Sequence, residues 1–386
     1  MYPNLYFLIR DIFGIQLSGL QLVNTFGFFV ALAFVGSGFV LYSELKRKEQ
    51  LGEFISIEEE IIIGAPASWG ELATSLVFGF LFGYKLIGAF VIEEALSNPQ
   101  LFILSTQGSA GAGILVAGIM TYLKWREKDK VKLAMPEKKK FLVWPHDRVG
   151  DIVLQAALWG FIGAKIFHNL ENLNDFAKDP WGSLIAFSGL TFYGGLIVAT
   201  IAIIIYIKKY NIRVIHFADA MAPTMLFAYA AGRIGCHMSG DGDWGIVNLH
   251  PKPFSWLPDW AWAYQYPHNV VNEGVRIAGC FGNYCNELPL PVYPTTFFEI
   301  IGTFALFLMM WSFRKKVRQP GILTGVYLVF AGVERLLVEQ IRVNNKYEFL
   351  PFQPTQAELI SVLLILCGIV FLLKSKTWFK LDQSTK

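Results

Sequence analysis

Residues 358–376 read ELISVLLILCGIVFLLKSK: no charge falls between Glu358 and Lys374, and two lysines close the run. A helix needs roughly 20 predominantly apolar residues to cross about 30 Å of hydrocarbon, and this stretch supplies them. Eight further runs of the same kind are legible, at 24–43, 69–92, 101–123, 150–168, 184–207, 215–236, 295–313 and 321–342. Composition agrees. Hydrophobic residues make up 54% of the 386-residue chain and charged residues 16%, against about 25% charged in soluble domains. The sequence therefore predicts an all-α polytopic membrane protein of about nine transmembrane helices, folded as a single integral membrane domain over residues 1–386. A net charge of +3 is too small to suggest a nucleic-acid partner.

Lysine and arginine collect in cytoplasmic loops. Alternate loops here hold Lys46 to Lys48, then Lys124 through Lys140, then Lys208, Lys209 and Arg213, then Arg314 to Arg318, and finally Lys374, Lys376 and Lys380. The opposite loops hold little beyond Lys178, Lys252, Arg276 and Lys346. That bias predicts an external N-terminus and a cytoplasmic C-terminus. The first residues, MYPNLYFLIRDIFG, lack the basic, apolar and small-residue regions of a cleaved signal peptide and read as an interfacial segment.

Residues 237–294 form one long external loop or cap, rich in proline and glycine and holding Trp244, Trp256, Trp260 and Trp262. It reads as an aromatic interfacial belt or as a substrate-facing lid. Cys280 and Cys285 share it and can pair as a disulfide. The chain also repeats itself. Gly70-Glu71-Leu72, Gly83 and Lys85 return as Gly150-Asp151-Ile152, Gly163 and Lys165, and Gly113-Ile114-Leu115-Val116-Ala117 returns as Gly195-Leu196-Ile197-Val198-Ala199. An extra helix pair over 68–126 thus resembles the pair over 149–209.

Ionisable residues at membrane depth are costly and mark function by default. One group lies in Gly232-Arg233-Ile234-Gly235-Cys236-His237-Met238-Ser239-Gly240-Asp241, where a span ends in glycines with Arg233 about one turn inside. Arginine there can grip a phosphate through two parallel hydrogen bonds, or it can simply snorkel to the interface. A second group is Arg335, Glu339 and Arg342, spaced to share one helix stripe. They suit either a structural ion network or two guanidinium groups presented to a lipid phosphate. Tyr193-Gly194-Gly195 and the run Tyr293 to Glu299 are weaker signals in the outer halves of their spans. Lys85, Lys165, His168 and Asp219 complete the set. None has the spacing of a metal site or a nucleophile triad, and the chain has no phosphate loop or dinucleotide fingerprint.

At these motifs the chain resembles the phosphatidylglycerol:prolipoprotein diacylglyceryl transferases. The family run Gly-Arg-(Leu/Ile)-Gly-Asn, leading through Asn-Gly-Glu to Trp-Gly, resembles Gly232 to Gly235 followed by Ser239-Gly240-Asp241 and Trp244-Gly245. Its Gly-x-x-Arg-Phe-x-x-Glu-x-x-Arg resembles Gly332 to Arg342, its His-Gly-Gly-Leu resembles Tyr193 to Leu196, and its segment ending in Tyr-Glu resembles Tyr293 to Glu299. The matches keep the family's order from about residue 20 to 376, apart from the extra pair. Tyr193 replaces the family's histidine, Cys236 its asparagine, and Phe26 its early tyrosine.

The resemblance implies transfer of a diacylglyceryl group from phosphatidylglycerol to the lipobox cysteine thiol of a preprolipoprotein signal peptide. That is the first step of lipoprotein maturation, at the outer face of a bacterial cytoplasmic (inner) membrane. It implies a monomer with no cofactor and no metal. Tyr193, Arg233, His237, Arg335 and Glu339 are the expected catalytic residues. Gly194, Gly195, Gly235, Ser239, Gly240, Asp241, Gly245, Glu299 and Arg342 are the expected substrate-binding set. The arginines would neutralise charge growing on the leaving phosphate. Tyr193 is a poor base at an ordinary pKa near 10, so it serves as a hydrogen-bond donor or needs activation by the arginine field. His237 is the second candidate acceptor. Two rival readings are an inactive lipid-binding paralogue and a secondary transporter, although carriers place their sites near the membrane midplane.

Overall fold

The computed structural model describes residues 1–90, 92, 95, 102, 103, 105–186, 189–344, 347 and 353–379. Helices begin where the sequence offers a side chain to cap them. Asn4 accepts from the Phe7 amide to start α1 (Leu5–Phe13), and Asn24 accepts from the Gly27 amide to start α2 (Thr25–Gln50). A reciprocal Ser68–Glu71 capping box opens α3 (Trp69–Phe82), which runs on as single turns to Phe90. Ser109 caps α4 (Ala110–Lys130). After α5 (Val149–Glu171) come the short α6 (Leu173–Lys178) and α7 (Pro180–Ile185), then α8 (Phe192–Lys209) and α9 (Val214–Ser239). The last three are α10 (Thr295–Phe313), α11 (Ile322–Glu339) and α12 (Gln356–Trp378), with a Thr355–Glu358 box opening α12.

Among the described residues, 7 helices are long and apolar enough to cross a membrane: Thr25–Gln50, Trp69–Phe90, Pro145–Glu171, Phe192–Lys209, Val214–Ser239, Thr295–Phe313 and Gln356–Trp378. Two helices at predicted spans fall short for a visible reason. Helix α4 takes on Lys124, Arg126 and Glu127 in its last turns, and α11 carries Glu334, Arg335 and Glu339. The span expected at 184–207 starts only at Phe192, because α7 ends at Ile185 and Gly189 turns the chain at φ 73°. Residues 91, 101, 104, 187 and 188 of the predicted spans, with Lys346 and Lys380, lie outside the described residues.

Helix α9 is the centre. It packs along α2 on one side and along α10 and α11 on the other, while α5 pairs with α8, α3 with α4, and α11 with α12. One apolar core gathers Leu41, Leu45, Ile152, Ile207 and Phe217; another gathers Leu226, Phe307, Met310 and Leu323. Buried polar groups fasten the helix ends. Fully buried Glu44 holds Arg314 at 2.5 Å and Arg47 at 2.8 Å. Asp219 of α9 accepts from the Gly321 and Thr324 amides at 2.8 and 2.9 Å, and so caps the first turn of α11 from a neighbouring helix.

Two small antiparallel sheets join the helices, and the sequence reading had not anticipated them. Strand β1 (Ile57–Ile63) pairs with β2 (Glu137–Val143), setting Glu60 opposite Lys140 and Ile62 opposite Lys138. Lys140 reaches the Glu58 carboxylate at 3.1 Å, so charge complementarity rather than a buried face selects the register. In the cap, β3 (Val275–Arg276) pairs with β4 (Asn286–Glu287), beside a Cys280–Cys285 disulfide.

Candidate active site

Three arginines from two parts of the chain meet at the cap end of α9, α10 and α11. Arg233 comes from α9, Arg335 from α11 and Arg342 from the turn beyond it. Glu299 of α10, fully buried, is their common partner. It lies 3.0 Å from Arg233 Nε, 3.2 Å from Arg335 Nη1 and 3.8 Å from Arg342 Nη1. Asp243 of the cap closes the ring, pairing with Arg233 Nη1 and with Arg342 Nη2 at 2.8 Å. Glu339 takes Arg335 Nη2 at 3.1 Å, and its other oxygen accepts from Asn344 and from the Thr355 hydroxyl, both at 2.6 Å. The i, i+4 spacing of Arg335 and Glu339 therefore does form the expected pair.

Local structure explains how the cap reaches this ring. Gly240 ends α9 in the left-handed region at φ 65°, turning the chain so that Asp243 returns over Arg233. Two residues later Gly245 pairs in a β-bridge with Arg342, and the Ile246 amide donates to the Ile341 carbonyl at 2.9 Å. A methyl group at Gly245 would meet that carbonyl oxygen at 2.5 Å, so only glycine allows the two segments this close. Burial opposes ionisation of Asp243, but Arg233 and Arg342 more than offset it and hold its carboxyl below the ordinary range. Asp241 shows the reverse. Burial and the nearby Asp243 charge push it up. Cys236, Asp241 and Asp243 place donor atoms within 4.8 Å of one another, yet both Asp243 oxygens are committed to guanidinium groups. The Asp243 charge is thus already balanced by arginines.

The other expected residues divide. Tyr193 is half-buried and lies within electrostatic reach of Arg335, Glu339 and Arg342, and no hydrogen bond engages its hydroxyl among the described residues. His237 points elsewhere: its Nδ1 lies 3.1 Å from the Thr296 hydroxyl, and Trp260, Tyr264, Tyr266 and Phe297 wall its ring. Gly194 and Gly195 face α5, where Cβ atoms would strike the Gly163 and Gly160 carbonyls at 2.7 and 2.8 Å. Gly235 makes room for Phe26 and Phe29 of α2, and the Ser239 hydroxyl donates to the Gly235 carbonyl at 2.8 Å. These small residues fix helix packing around the ring.

Three members of the site escaped the sequence reading. Tyr229 donates to Glu299 at 2.8 Å and accepts from Arg233 Nη2 at 3.0 Å; its position four residues before Arg233 was the available signal. Asp243 stood in the run around Arg233 without a role. Glu334, next to Arg335, has the Glu299, Arg335, Arg233 and Arg342 charges around it. Chemically, the ring holds three permanent positive charges in a secluded place, and Arg342 keeps Nε and Nη1 without hydrogen bonds. Such donors suit an anion with several oxygens.

A phosphatidylglycerol–prolipoprotein diacylglyceryl transferase of Leptospira interrogans is 30% identical over 229 residues, 53% of this chain and 64% of the relative's length, a little under two thirds. A protein of the same name from Legionella pneumophila is 27% identical over 233 residues, covering 59% of this chain and 80% of its own. One from Buchnera aphidicola is 25% identical over 288 residues, 72% of this chain and 96% of its own. Residues 108–374, well over half of the chain, match the prolipoprotein diacylglyceryl transferase family, and this chain belongs to that family.

Proposed function

We propose that the chain transfers a diacylglyceryl group from phosphatidylglycerol to the lipobox cysteine thiol of a prolipoprotein, releasing glycerol phosphate. The observation that carries this reading is the arginine ring, with buried donors on Arg342 left open beside Arg233 and Arg335. A phosphodiester bound there develops a further negative charge as its C–O bond breaks. Fixed guanidinium groups in a water-poor site stabilise that charge most. Tyr193 donates to the leaving phosphate from the far side of the ring, and Glu299 and Glu339 orient the arginines. In this reading Gly194, Gly195, Gly235, Ser239, Gly240, Asp241 and Gly245 shape the walls of the lipid and peptide site.

The same reading includes nine crossings with the N-terminus outside, and residence as a monomer in a bacterial inner membrane. The Lys/Arg loop bias supports the orientation. Residues 237–294 then form an outer cap over the ring. A duplicated helix pair is supported by matching close contacts: Gly83 against the Ala112 carbonyl in α3–α4, and Gly163 against the Gly194 carbonyl in α5–α8. Lys85 and Lys165 correspond too, each donating to backbone carbonyls of the connection after its helix.

Purified protein in phosphatidylglycerol vesicles should move a labelled diacylglyceryl group onto a lipobox peptide. Arg233→Ala and Arg335→Ala should abolish transfer while the protein stays monodisperse. No labelled peptide from the unaltered chain, with a known transferase active alongside, overturns the reading.

A further inference from the structure

We propose that the Glu334 carboxylate accepts the proton of the attacking thiol, making it a catalytic residue of this site. The inference rests on the transferase reading above. With His237 held among aromatic rings, the carboxylates around the ring are the candidate proton acceptors. The others have partners: Glu299 three arginines, Asp243 two, Glu339 Arg335, Asn344 and Thr355, and Asp241 the Asp243 amide at 3.3 Å and the Cys236 side chain. Glu334 alone of the five enters no ion pair or hydrogen bond among the described residues, and its Oε1 is inaccessible to solvent.

Helix geometry directs it inward. Gly332 packs against α12, where a Cβ would meet the Ser361 carbonyl at 2.7 Å. At about 100° per residue, Glu334 is about 200° further round α11, on the side facing α9 and α10. The charged and titratable groups around it are Arg233 and Tyr229 from α9, Glu299 from α10, and Arg335 and Arg342 from its own segment. A carboxylate there sits beside the groups that hold the phosphate, yet remains free to take up a proton.

The step balances without a further reactant. The thiol S–H proton passes to Glu334, giving a thiolate and a neutral carboxyl. The sulfur attacks the glyceryl carbon, a C–S bond forms, and the C–O bond to phosphate breaks with its electron pair on oxygen. Glycerol phosphate leaves as the dianion, and Glu334 returns its proton to solvent.

Glu334→Gln keeps the shape and removes the acceptor. Its kcat should fall at least about 100-fold near neutral pH, with KM for the lipid within about threefold of wild type. The residual rate should climb about tenfold per pH unit toward the ordinary thiol pKa of about 8.5, where the nucleophile ionises unaided. A lipobox peptide carrying selenocysteine, whose selenol is already ionised at neutral pH, should restore most of the loss. Wild-type kcat in the Gln variant, or an equal deficit with both peptides, overturns the assignment while leaving the transferase reading intact. Should Glu334→Gln not fold, Glu334→Asp keeps the acceptor. It must then show reduced kcat with the wild-type pH profile, and the thiol-like climb in that variant refutes the role. An inactive wild-type protein instead refutes the reading beneath it.

Discussion

Replacing Asp243 with asparagine tests the ring most directly. The side chain keeps its shape, but its single carbonyl oxygen can accept from only one of Arg233 and Arg342, and the amide nitrogen facing the other is a donor, so one charge-assisted contact is lost. A hydrogen bond to a charged partner contributes about 1.5–3 kcal/mol, so the lost contact costs about that much before screening. The Asp243 side chain is 35% exposed, which screens part of this. A net loss of about 1–2 kcal/mol remains. Its pH dependence has a definite sign. The folded carboxyl is held below its ordinary value, so its stabilisation is complete above the unfolded pKa of about 3.9 and disappears as pH falls through the folded value. Reversible unfolding in mixed detergent and SDS should show wild type above Asp243→Asn by that amount from about pH 7 down to about pH 5. The two should converge under stronger acid. Equal stability at neutral pH, or a gap that widens in acid, refutes the account of Asp243 as the ionised bridge.

Gly245→Ala should separate the cap from α11. Overpacking costs about 1–3 kcal/mol, and loss of the Ile246–Ile341 bond about 1 more, seen as lower thermal stability together with at least tenfold slower transfer. Tyr193→Phe should slow transfer at least about 100-fold, whereas Tyr193→His keeps activity and His237→Ala changes it little; the reverse ranking would move the hydroxyl's role to His237. Tyr229→Phe leaves Arg233 without one of its anchors, so kcat should drop while KM for the lipid changes less, measured by initial rates over a phosphatidylglycerol series. Asp219→Ala removes three contacts that begin α11; it should destabilise by about 1–3 kcal/mol in the same SDS titration, with residual activity scaling with the folded fraction.

The apolar runs were legible because a bilayer demands length and hydrophobicity that few other contexts require. Arg335 and Glu339 were legible for a similar reason, since helical spacing alone puts them together. What sequence could not supply was the partner across space. Glu299 was expected to bind substrate, and it meets three arginines; nothing in the run from Tyr293 says so. Asp243 reaches Arg342 only because Gly240 and Gly245 bend the cap back, a consequence of backbone geometry 99 residues away along the chain. The β1–β2 pairing escaped for the opposite reason: EKKKFLV and IEEEIII lack the strict alternation that marks a half-buried strand.

Helix α11 is held at its start by Asp219 and at its end by the Gly245–Arg342 bridge, so the Arg335 and Arg342 guanidinium groups stand on a fixed post beside Arg233 of α9. Tyr193 stands on a different body, because α8 lies along α5 and meets α9 only in passing. The glycine seam that fastens α8 to α5 therefore also fixes where the phenol travels. In the transferase reading proposed above, a parting of α8 from α9 would carry the hydroxyl away from the arginines, and closure would bring it back. Under that reading, entry of a lipid between these helices and assembly of the ring would be one motion.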